Sequence, residues 1–318
     1  MPISVLLTES YHPFLINRLE SHEAFSVTHI KSPDSEELST ALSQAHVWIM
    51  RGAIPVTKET LQKALNLKLI IRAGSGTEHI DREAIQEAGI ELRSTPHANA
   101  LPVAEYVVAA ILMLCRQFLL AHHAIREKAL WLRRESMGRE MASLTVGIIG
   151  FGHNGSRTAQ LLATLGAQVF AYDKYKGGFG GAGVKETTLE EIYENADVLS
   201  LHVPLTTETA GWVDSRFLKR FRKPIALINA ARGGIVDLSA LIEGLEAGWL
   251  WGVALDTLPA EPPEKLSARD YQAWKALQKH PAVLLTPHIA GLTEESELRL
   301  AQAVWATLLE WLMNYPYA

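Results

Sequence analysis

Short apolar runs rich in Val, Ile and Leu alternate with longer segments of mixed polarity through most of the chain. Runs of this length and composition predict strands that are buried on both faces. The predicted strands cover residues 4–8, 47–50, 67–74 and 90–94, and then residues 144–150, 168–173, 197–204, 225–231, 251–256 and 282–288. Strands that alternate with helices predict parallel sheets with helices on both sides, so we expect an α/β fold.

The segments between the strands have the spacing of amphipathic helices. Residues 35–45 and 57–66 begin with Ser35 and Thr57, which are good N-caps, and leucines follow at helical spacing. The last such pattern covers residues 293–316 and predicts one long helix. Its expected N-cap and apolar stripe are Thr293, Leu298, Ala301, Trp305, Leu308 and Leu312.

Two series of strands indicate two domains, and a chain of 318 residues has room for two domains of about 150 residues each. The first series ends near residue 100 and the second near residue 290. Because the last helix begins directly after the last strand, it can cross back to the first domain. The chain would then pass twice between the domains, and a cleft between them would result.

Composition and charge exclude several classes of function. The net charge of −5 and the pI of about 6.2 give no basic surface for nucleic acid or anionic lipid. The N-terminus lacks the pattern of a signal peptide, and the longest apolar stretch, residues 106–121, is interrupted by Arg116 and Gln117. We therefore expect a buried or interface helix there and no membrane span. The single Cys115 cannot form an internal disulfide, which favours the cytoplasm.

The first chemical signal is a glycine loop within residues 144–173. A predicted strand is followed by GFGHNG (150–155), a helical segment and a second strand that ends at Asp173. In that context the glycines permit a tight turn, close approach of a diphosphate and close packing of helix on strand, with the diphosphate at the positive helix end. The alternative is a plain glycine turn in an ordinary strand-helix unit.

Asp173 indicates which dinucleotide this loop binds. A carboxylate at this position accepts hydrogen bonds from the adenosine ribose and repels a 2′-phosphate, which favours NAD over NADP. Lys174 and Lys176 lie nearby in the sequence and keep NADP open as the alternative.

Three further residues, Arg232, Glu261 and His288, follow predicted strands of the second series. The carboxyl ends of parallel strands line the ligand crevice. Each of them alone has an ordinary explanation. The arginine can be a surface residue, the glutamate a solvated loop acid and the histidine a capping residue. Together they can interconvert a 2-hydroxy acid and a 2-keto acid. The arginine holds the carboxylate, the histidine gives or takes the hydroxyl proton, and the glutamate orients the imidazole and raises its pKa.

These residues and their surroundings resemble the D-isomer-specific 2-hydroxyacid dehydrogenase family. The segments TVGIIGFGHNG, HVPLTTETAG, LINAARGGIVD, GVALDTLPAEPP and LTPHIAG occur in family order and spacing. The resemblance covers the whole chain and implies two Rossmann-like domains with parallel sheets. It places an NAD-binding domain at residues 99–291, inserted into a substrate domain formed by residues 1–98 and 292–318.

The resemblance also implies the site residues and NAD as the cofactor. It makes Arg232, Glu261 and His288 the catalytic triad, and Glu261 argues against a formate dehydrogenase, which carries glutamine there. It places the nicotinamide carboxamide near Asp256. The implied cofactor contacts are Gly150, Gly152, His153, Asn154, Gly155, Asp173, His202, Val203, Pro204, Thr209, Asn229, Ala230, Ala231, Asp256, His288 and Gly291. No metal site is expected, since the 12 histidines lack ligand spacing.

The chain departs from the family pattern in two places. In the loop GSGTEHID (74–81), Glu78 and His79 replace the usual Asp-Asn pair, which puts the support of this loop in doubt. The loop is still expected to offer backbone N–H groups of Gly74, Ser75 and Gly76 to a substrate carboxylate. The segment after Glu261 is also longer than the common pattern.

Four arginines indicate a substrate with a second anionic group. Arg51 and Arg72 end strands of the first series, and residues 131–141, which include Arg133 and Arg134, resemble the segment found in family members that oxidise 3-phosphoglycerate. We therefore expect the pair 3-phosphoglycerate and 3-phosphohydroxypyruvate, with no appended regulatory domain. The alternatives are reduction of glyoxylate or hydroxypyruvate, a solvated basic patch at Arg133 and Arg134, and an NAD-sensing corepressor that binds peptides.

Residues 101–121 carry more apolar side chains than one buried helix face needs, and Trp131 follows shortly. Apolar surface of this extent usually marks a subunit contact. The resemblance implies the same, because family dimers pair through this helix. We expect a homodimer formed through residues 101–140, in which Arg133 or Arg134 reaches the active site of the partner.

Overall fold

The computed structural model describes residues 2–52 and 54–314. They form two compact units. The first contains the residues up to Asn99 together with those from Leu292 onward, and the second contains Ala100–Gly291. Each unit holds one parallel sheet, so the α/β class expected from the alternating pattern is confirmed.

The first unit is built on a five-stranded sheet with the order β2-β1-β3-β4-β5. Its strands are β1 (Ile3–Thr8), β2 (Phe25–Ile30), β3 (Val47–Met50), β4 (Leu69–Arg72) and β5 (Glu91–Ser94). Its helices are α1 (Pro13–Glu20), α2 (Ser35–Gln44), α3 (Lys58–Gln62), α4 (Arg82–Glu87) and α12 (Glu294–Asn314). Successive residues of β1 point to opposite faces, and both Leu6 and Leu7 are buried. Burial on both faces explains why the central strands read as continuous apolar runs.

Two helix starts show how local hydrogen bonds set the boundaries. Helix α2 is capped by Asp34 and not by Ser35, because Oδ1 of Asp34 accepts hydrogen bonds of 2.9 Å from two backbone N–H groups of the first turn. Thr57 caps α3 as predicted, but that helix ends at Gln62, well before residue 66. Strand β2, which the apolar pattern did not mark, is an edge strand with one buried residue, Phe25.

Helix α12 packs against α1 and the sheet of the first unit. Thr293 caps it, since its Oγ1 accepts a hydrogen bond of 3.1 Å from the backbone N–H of Ser296. The apolar side chains buried on it are those of Ala301, Val304, Leu308 and Trp311. Trp305 and Leu312 of the predicted stripe are partly buried and pack against the same core, next to the buried Val304 and Trp311.

The second unit is built on a seven-stranded sheet with the order β12-β11-β10-β9-β6-β7-β8. Its strands are β6 (Thr145–Ile149), β7 (Gln168–Tyr172), β8 (Val184–Glu186), β9 (Val198–Leu201), β10 (Ile225–Asn229), β11 (Leu250–Leu255) and β12 (Val283–Leu285). Its helices are α5 (Ala100–Cys115), α6 (Phe118–Lys128), α7 (His153–Thr164), α8 (Leu189–Asn195), α9 (Ser215–Leu218), α10 (Leu238–Glu246) and α11 (Ala268–Lys279). One apolar layer joins the sheet to α5 and α7, and a second joins it to the helices from α8 to α11.

The single helix expected over residues 106–121 is wrong. Helix α5 ends at Cys115, and α6 starts at Phe118 at an angle of 65°. Gln117 between them adopts a left-handed backbone conformation with φ of 55°, which a continuous helix does not allow. Within residues 2–52 and 54–314 no single helix is long and apolar enough to cross a membrane, and only this bent pair, taken together, reaches that length and composition.

Both sheets reverse their direction of growth near the middle. The reversal lies between β1 and β3 in the first unit and between β6 and β9 in the second. Ligands of open parallel sheets bind outside the carboxyl ends of the strands at this point. The residues that follow these four strands are therefore the first candidates for binding.

Candidate active site

The glycine loop turns at the carboxyl end of β6, and its three glycines have different surroundings. Gly150 has a φ of +95°, and a Cβ on it would lie 2.4 Å from the carbonyl oxygen of His202. A Cβ on Gly155 would lie 1.9 Å from the carbonyl oxygen of Gly150. Gly152 has open space around its Cβ position, and no described side chain caps α7, which begins directly after it. The loop thus leaves the positive end of a 12-residue helix open to an anion.

A cavity of about 620 Å³ lies at this edge, where the sheet reverses between β6 and β9. Of the predicted cofactor contacts, it is lined by Gly150, Gly152, Asp173, His202, Val203, Pro204 and Thr209. The predicted contacts that do not line it are His153, Asn154, Gly155, Asn229, Ala230, Ala231, Asp256, His288 and Gly291. Sequence reasoning missed the walls formed by Tyr175, Leu189 and Trp212, whose residue types do not distinguish a cofactor cavity from an ordinary core.

Asp173 is held in place by the backbone around it. Its Oδ2 accepts a hydrogen bond of 2.7 Å from the N–H of Phe151, and its Oδ1 accepts bonds from the N–H groups of Tyr175 and Lys176 at 2.9 and 3.1 Å. Both nearby lysines have acceptors of their own. Nζ of Lys174 donates to Glu208, and Nζ of Lys176 donates to the carbonyl of Phe151. The carboxylate therefore stands at the end of β7 in a fixed position on the cavity wall.

His202 forms part of the wall between the glycine loop and β9. Its Nε2 lies 2.9 Å from Oγ of Ser200. Burial lowers the pKa of His202 to about 4, so this imidazole is neutral at physiological pH. It therefore contributes shape and a neutral hydrogen-bonding ring to the cavity, without a positive charge.

His288 and Glu261 form a hydrogen-bonded pair beyond the ends of β11 and β12. Nδ1 of His288 lies 2.8 Å from Oε2 of Glu261. This bond raises the pKa of His288 and outweighs the lowering effect of partial burial. Partial burial raises the pKa of Glu261, but the bonds from His288 and from the N–H of Leu258 outweigh it and leave that pKa below its usual value. The pair is thus a charged carboxylate and an imidazole that readily takes a proton.

Arg232 follows β10 and is placed by the turn around it. The side chain of Asn229 accepts a hydrogen bond from the N–H of Ala231 and donates one to the carbonyl of Arg232, which closes the turn. A Cβ on Gly233 would lie 1.9 Å from the carbonyl carbon of Leu258, so the turn after β10 packs directly on the loop that carries Glu261. The Arg232 guanidinium also contributes to the lowered pKa of Glu261, which agrees with this contact between the two loops.

Asp256 holds the turn that carries His288. This carboxylate is 2% exposed, accepts 2.8 Å bonds from the N–H groups of Ile289 and Ala290, and accepts a 2.6 Å bond from Oγ1 of Thr286. Because the Thr286 hydroxyl gives its proton to Asp256, Tyr106 of α5 must donate in the 2.6 Å contact between the two hydroxyls. A second cavity of about 560 Å³ has Asp256, Glu261, Thr286 and His288 in its wall.

In the first unit, the arginines expected to bind an anionic substrate have partners within the protein. Both terminal nitrogens of Arg51 donate to the carboxylate of Glu297. Nε of Arg72 donates to the carbonyl of Gly76 at 2.8 Å, and its Nη1 donates to the carbonyl of Ala73. In the second unit, Arg133 and Arg134 are exposed in the turns after α6. Arg51 and Arg72 are therefore engaged in contacts within the protein, whereas Arg133 and Arg134 are exposed to solvent.

The loop at residues 74–81 is held by backbone contacts. The N–H of Gly74 donates to Oγ1 of Thr95 at 2.9 Å, so the expectation that this N–H is available to a substrate carboxylate is wrong. Val56 forms an isolated parallel bridge with Ile80, and its N–H donates to the carbonyl of His79. The altered Glu78-His79 pair thus stands beside a backbone bridge that supports the loop.

Residues 108–290 match the family model described as D-isomer specific 2-hydroxyacid dehydrogenase, NAD binding domain. The chain belongs to this family. The matched segment contains the glycine loop, Asp173, and the arrangement of Arg232, Glu261 and His288. NAD is the cofactor of this domain, and the open helix end and the uncrowded Gly152 fit it.

The proteins that this chain resembles are named after different substrates. The D-3-phosphoglycerate dehydrogenase of Bacillus subtilis (strain 168) is 34% identical over 270 residues, which are 84% of this chain and 50% of that protein. The chain spans about half the length of the curated relatives it matches. The structure of D-lactate dehydrogenase from Aquifex aeolicus, complexed with NAD and lactic acid, has a TM-score of 0.86 at 27% identity and covers 98% of this chain and 96% of that one. A glyoxylate reductase from Paecilomyes thermophila has the same fold, with a TM-score of 0.85 at 23% identity over 97% of this chain and 95% of that one.

Proposed function

We propose that this protein is an NAD-dependent oxidoreductase that interconverts a D-2-hydroxy acid and the corresponding 2-keto acid. The observation that carries the proposal is the hydrogen-bonded pair of His288 and Glu261, beside the turn that carries Arg232, in a family whose matched domain binds NAD. Interconversion of a hydroxyl and a keto group next to a carboxylate needs an acid–base group for the proton on the oxygen and a cation for the carboxylate.

Each of the three residues has a separate role in the proposed reaction. Arg232 holds the substrate carboxylate through two parallel hydrogen bonds. In the direction of reduction, Nε2 of His288 gives its proton to the oxygen at C2, and in oxidation it takes that proton back. Glu261 holds Nδ1 and stabilises the imidazolium that precedes or follows the transfer. Bound NADH supplies the hydride to C2 in reduction, and bound NAD⁺ accepts it in oxidation.

The same proposal assigns the cavity at β6 and β9 to NAD. The N–H groups at the start of α7 bind the diphosphate, and Asp173 accepts hydrogen bonds from the adenosine ribose. Because Lys174 is engaged by Glu208, a cation that would favour a 2′-phosphate is partly neutralised. This supports a preference for NADH over NADPH.

Two substrate pairs follow from different observations. The sequence relatives at 34% identity and the exposed arginines Arg133 and Arg134 support 3-phosphoglycerate and 3-phosphohydroxypyruvate. The pairing of Arg51 with Glu297 supports a keto acid without a second anionic group, such as glyoxylate or hydroxypyruvate. We take the phosphorylated pair as the first candidate and the second pair as the rival.

We further propose that the protein is a homodimer formed through residues 101–140. Trp131 and Met137 have 81% and 83% of their surface exposed, and Phe118, Ile125 and Leu130 are exposed in the same segment. Exposed apolar side chains at such density along one segment favour a protein partner, and a second copy of the same chain is the commonest one. A partner copy would then contribute Arg133 or Arg134 to the active site.

The test is the change in NADH absorbance with a panel of 2-keto acids that includes 3-phosphohydroxypyruvate, hydroxypyruvate, glyoxylate and pyruvate. We expect stereospecific turnover to the D-2-hydroxy acid by the wild type. NADH binding without turnover of any member would contradict the proposal and would favour a binding protein of the corepressor kind. The preferred member of the panel decides between the two substrate pairs.

A further inference from the structure

An ion pair joins the two segments that flank the glycine loop of the second unit. Strand β6 lies between β7 and β9 in the sheet, so the residues after β7 and those after β9 stand on either side of this loop. Nζ of Lys174, which follows β7, donates to the carboxylate of Glu208, which lies in the turn after β9. Both residues line the cavity of about 620 Å³. The pair therefore belongs to the wall of the cavity that the glycine loop borders.

The turn that carries Glu208 is fixed by its neighbour Thr209. Oγ1 of Thr209 accepts a hydrogen bond of 2.8 Å from the N–H of Thr206 and donates one of 2.7 Å to the carbonyl of Pro204. The bond from Lys174 holds the pKa of Glu208 below its usual value, so this carboxylate is charged at neutral pH. A fixed negative charge thus stands at the cavity wall.

Lys174 is held on a second side by Tyr175. Its Nζ lies 5.3 Å from the centroid of the Tyr175 ring, and Oη of Tyr175 donates to the same oxygen of Glu208 at 3.3 Å. Lys174 directly follows Asp173, the residue proposed to bind the adenosine ribose, so a free ammonium there would attract a 2′-phosphate. The side chains of Lys174 and Glu208 are 54% and 58% exposed. An exposed pair adds little to stability, and its effect should instead appear in the choice of ligand.

We propose that Glu208 is a second residue that determines the choice of dinucleotide, because it neutralises Lys174 and withholds this cation from a 2′-phosphate. The inference rests on the proposed function, in which the cavity binds NAD and Asp173 contacts the ribose. NADP must compete with the Glu208 carboxylate for Lys174, whereas NAD has a hydroxyl at that position and leaves the pair intact. Discrimination of this kind acts against the wrong ligand and adds no contact to the right one.

The experiment measures the dissociation constants of NADH and NADPH by fluorescence titration at fixed, low ionic strength, for the wild type and for Glu208→Gln. Glutamine keeps the shape and one acceptor oxygen but removes the charge. We expect the ratio of the NADPH constant to the NADH constant to fall about three- to tenfold, through tighter binding of NADPH, while the NADH constant changes less than about twofold. The matched control is Glu190→Gln, which removes an exposed acid that pairs with Arg220 and does not line the cavity, and it should change the ratio less than about twofold.

The same substitution in a Lys174→Met background tests whether Glu208 acts through Lys174. There we expect Glu208→Gln to change the ratio less than about twofold, because the cation to be released is absent. An unchanged ratio in Glu208→Gln alone, an equal fall in the Lys174→Met background or an equal fall in the control overturns the role of Glu208. Each of these results leaves the proposed function standing if the wild type prefers NADH. A wild type that binds neither dinucleotide overturns the proposed function and this inference with it.

Discussion

Nδ1 of His288 lies 2.8 Å from Oε2 of Glu261, and the backbone of His288 is left-handed with a φ of 57°. A residue other than glycine rarely adopts this conformation, so the surroundings must hold it. Asp256 does so, because its backbone carbonyl accepts the N–H of His288 and its carboxylate accepts the two N–H groups that follow. His288 is thus held both at its backbone and at its imidazole ring.

The pH dependence of the reaction follows from this pair. Reduction of a keto acid requires protonated His288, whose pKa is raised above its usual 6.5 by the bond to Glu261. We expect kcat/KM for reduction to fall as the pH rises through that raised pKa, and kcat/KM for oxidation to rise over the same range. Glu261→Gln removes the largest cause of the raised pKa. The pH profiles of reduction and of oxidation should therefore both move to lower pH. Glu264→Gln, in the same loop, is the control and should leave the profile where it is.

Removal of the imidazole should separate catalysis from cofactor binding. We expect His288→Ala to lower kcat by roughly 10²–10⁴, the usual contribution of a positioned acid or base. The dissociation constant of NADH should stay within a few fold, because His288 does not line the cavity beside the glycine loop. Stopped-flow kinetics measures kcat, and fluorescence titration measures the dissociation constant of NADH. A kcat of His288→Ala close to that of the wild type would rule out His288 as the acid–base group.

The carboxylate of Asp173 should determine the choice of dinucleotide. We expect the wild type to have a higher kcat/KM with NADH than with NADPH, and Asp173→Ala to narrow the difference, because repulsion of a 2′-phosphate is lost. The variant should lose part of its NADH affinity too, since Asp173 also binds the backbone of Phe151 and Tyr175. Equal use of the two cofactors by the unmodified protein would contradict the assignment.

Thr286 should contribute to the stability of the second unit. Thr286→Val removes the 2.6 Å donor to the buried Asp256 and the acceptor for the Tyr106 hydroxyl. We expect the free energy of unfolding to fall by about 1–3 kcal/mol, the usual cost of leaving a buried polar group unpaired. Urea titration measures this difference. Thr164→Val is the control, because that exposed hydroxyl donates to a carbonyl of its own helix.

The exposed apolar segment after α5 should mediate dimer formation. We expect the wild type to sediment as a dimer and the double variant Trp131→Glu, Met137→Glu to sediment as a monomer, because burying two carboxylates opposes association. Leu65→Glu, which changes an 80% exposed leucine of the first unit, should leave the dimer intact. A monomeric wild type would refute the assembly.

A mixing experiment tests whether the dimer shares its active sites. A variant that lacks His288 is combined with one that lacks both Arg133 and Arg134, after brief dissociation and reassociation. Recovery of activity is expected if the arginines act on the partner's site. A dimer that recovers no activity would support the predicted assembly and exclude a shared active site.

The sequence by itself determined the α/β class, the glycine loop and the residues that follow the strands. These features depend on neighbours a few positions apart. Burial on both faces of a strand requires a continuous apolar run, and a turn beneath a diphosphate requires glycine. Even so, the predicted N-cap of α2 was Ser35 and the observed one is Asp34. The Asp34 carboxylate accepts hydrogen bonds from two N–H groups of the first turn.

Only the tertiary structure decided which charges neutralise one another and which polar groups support the site. Arg51 and Glu297 are 246 positions apart, and they meet because α12 packs on the sheet that starts at the N-terminus. The hydrogen bond between Gly74 and Thr95, and those between Asp256 and the turn of His288, likewise form because distant strands approach one another. No periodicity encodes such pairs, since they form where burial of apolar faces brings two parts of the chain together.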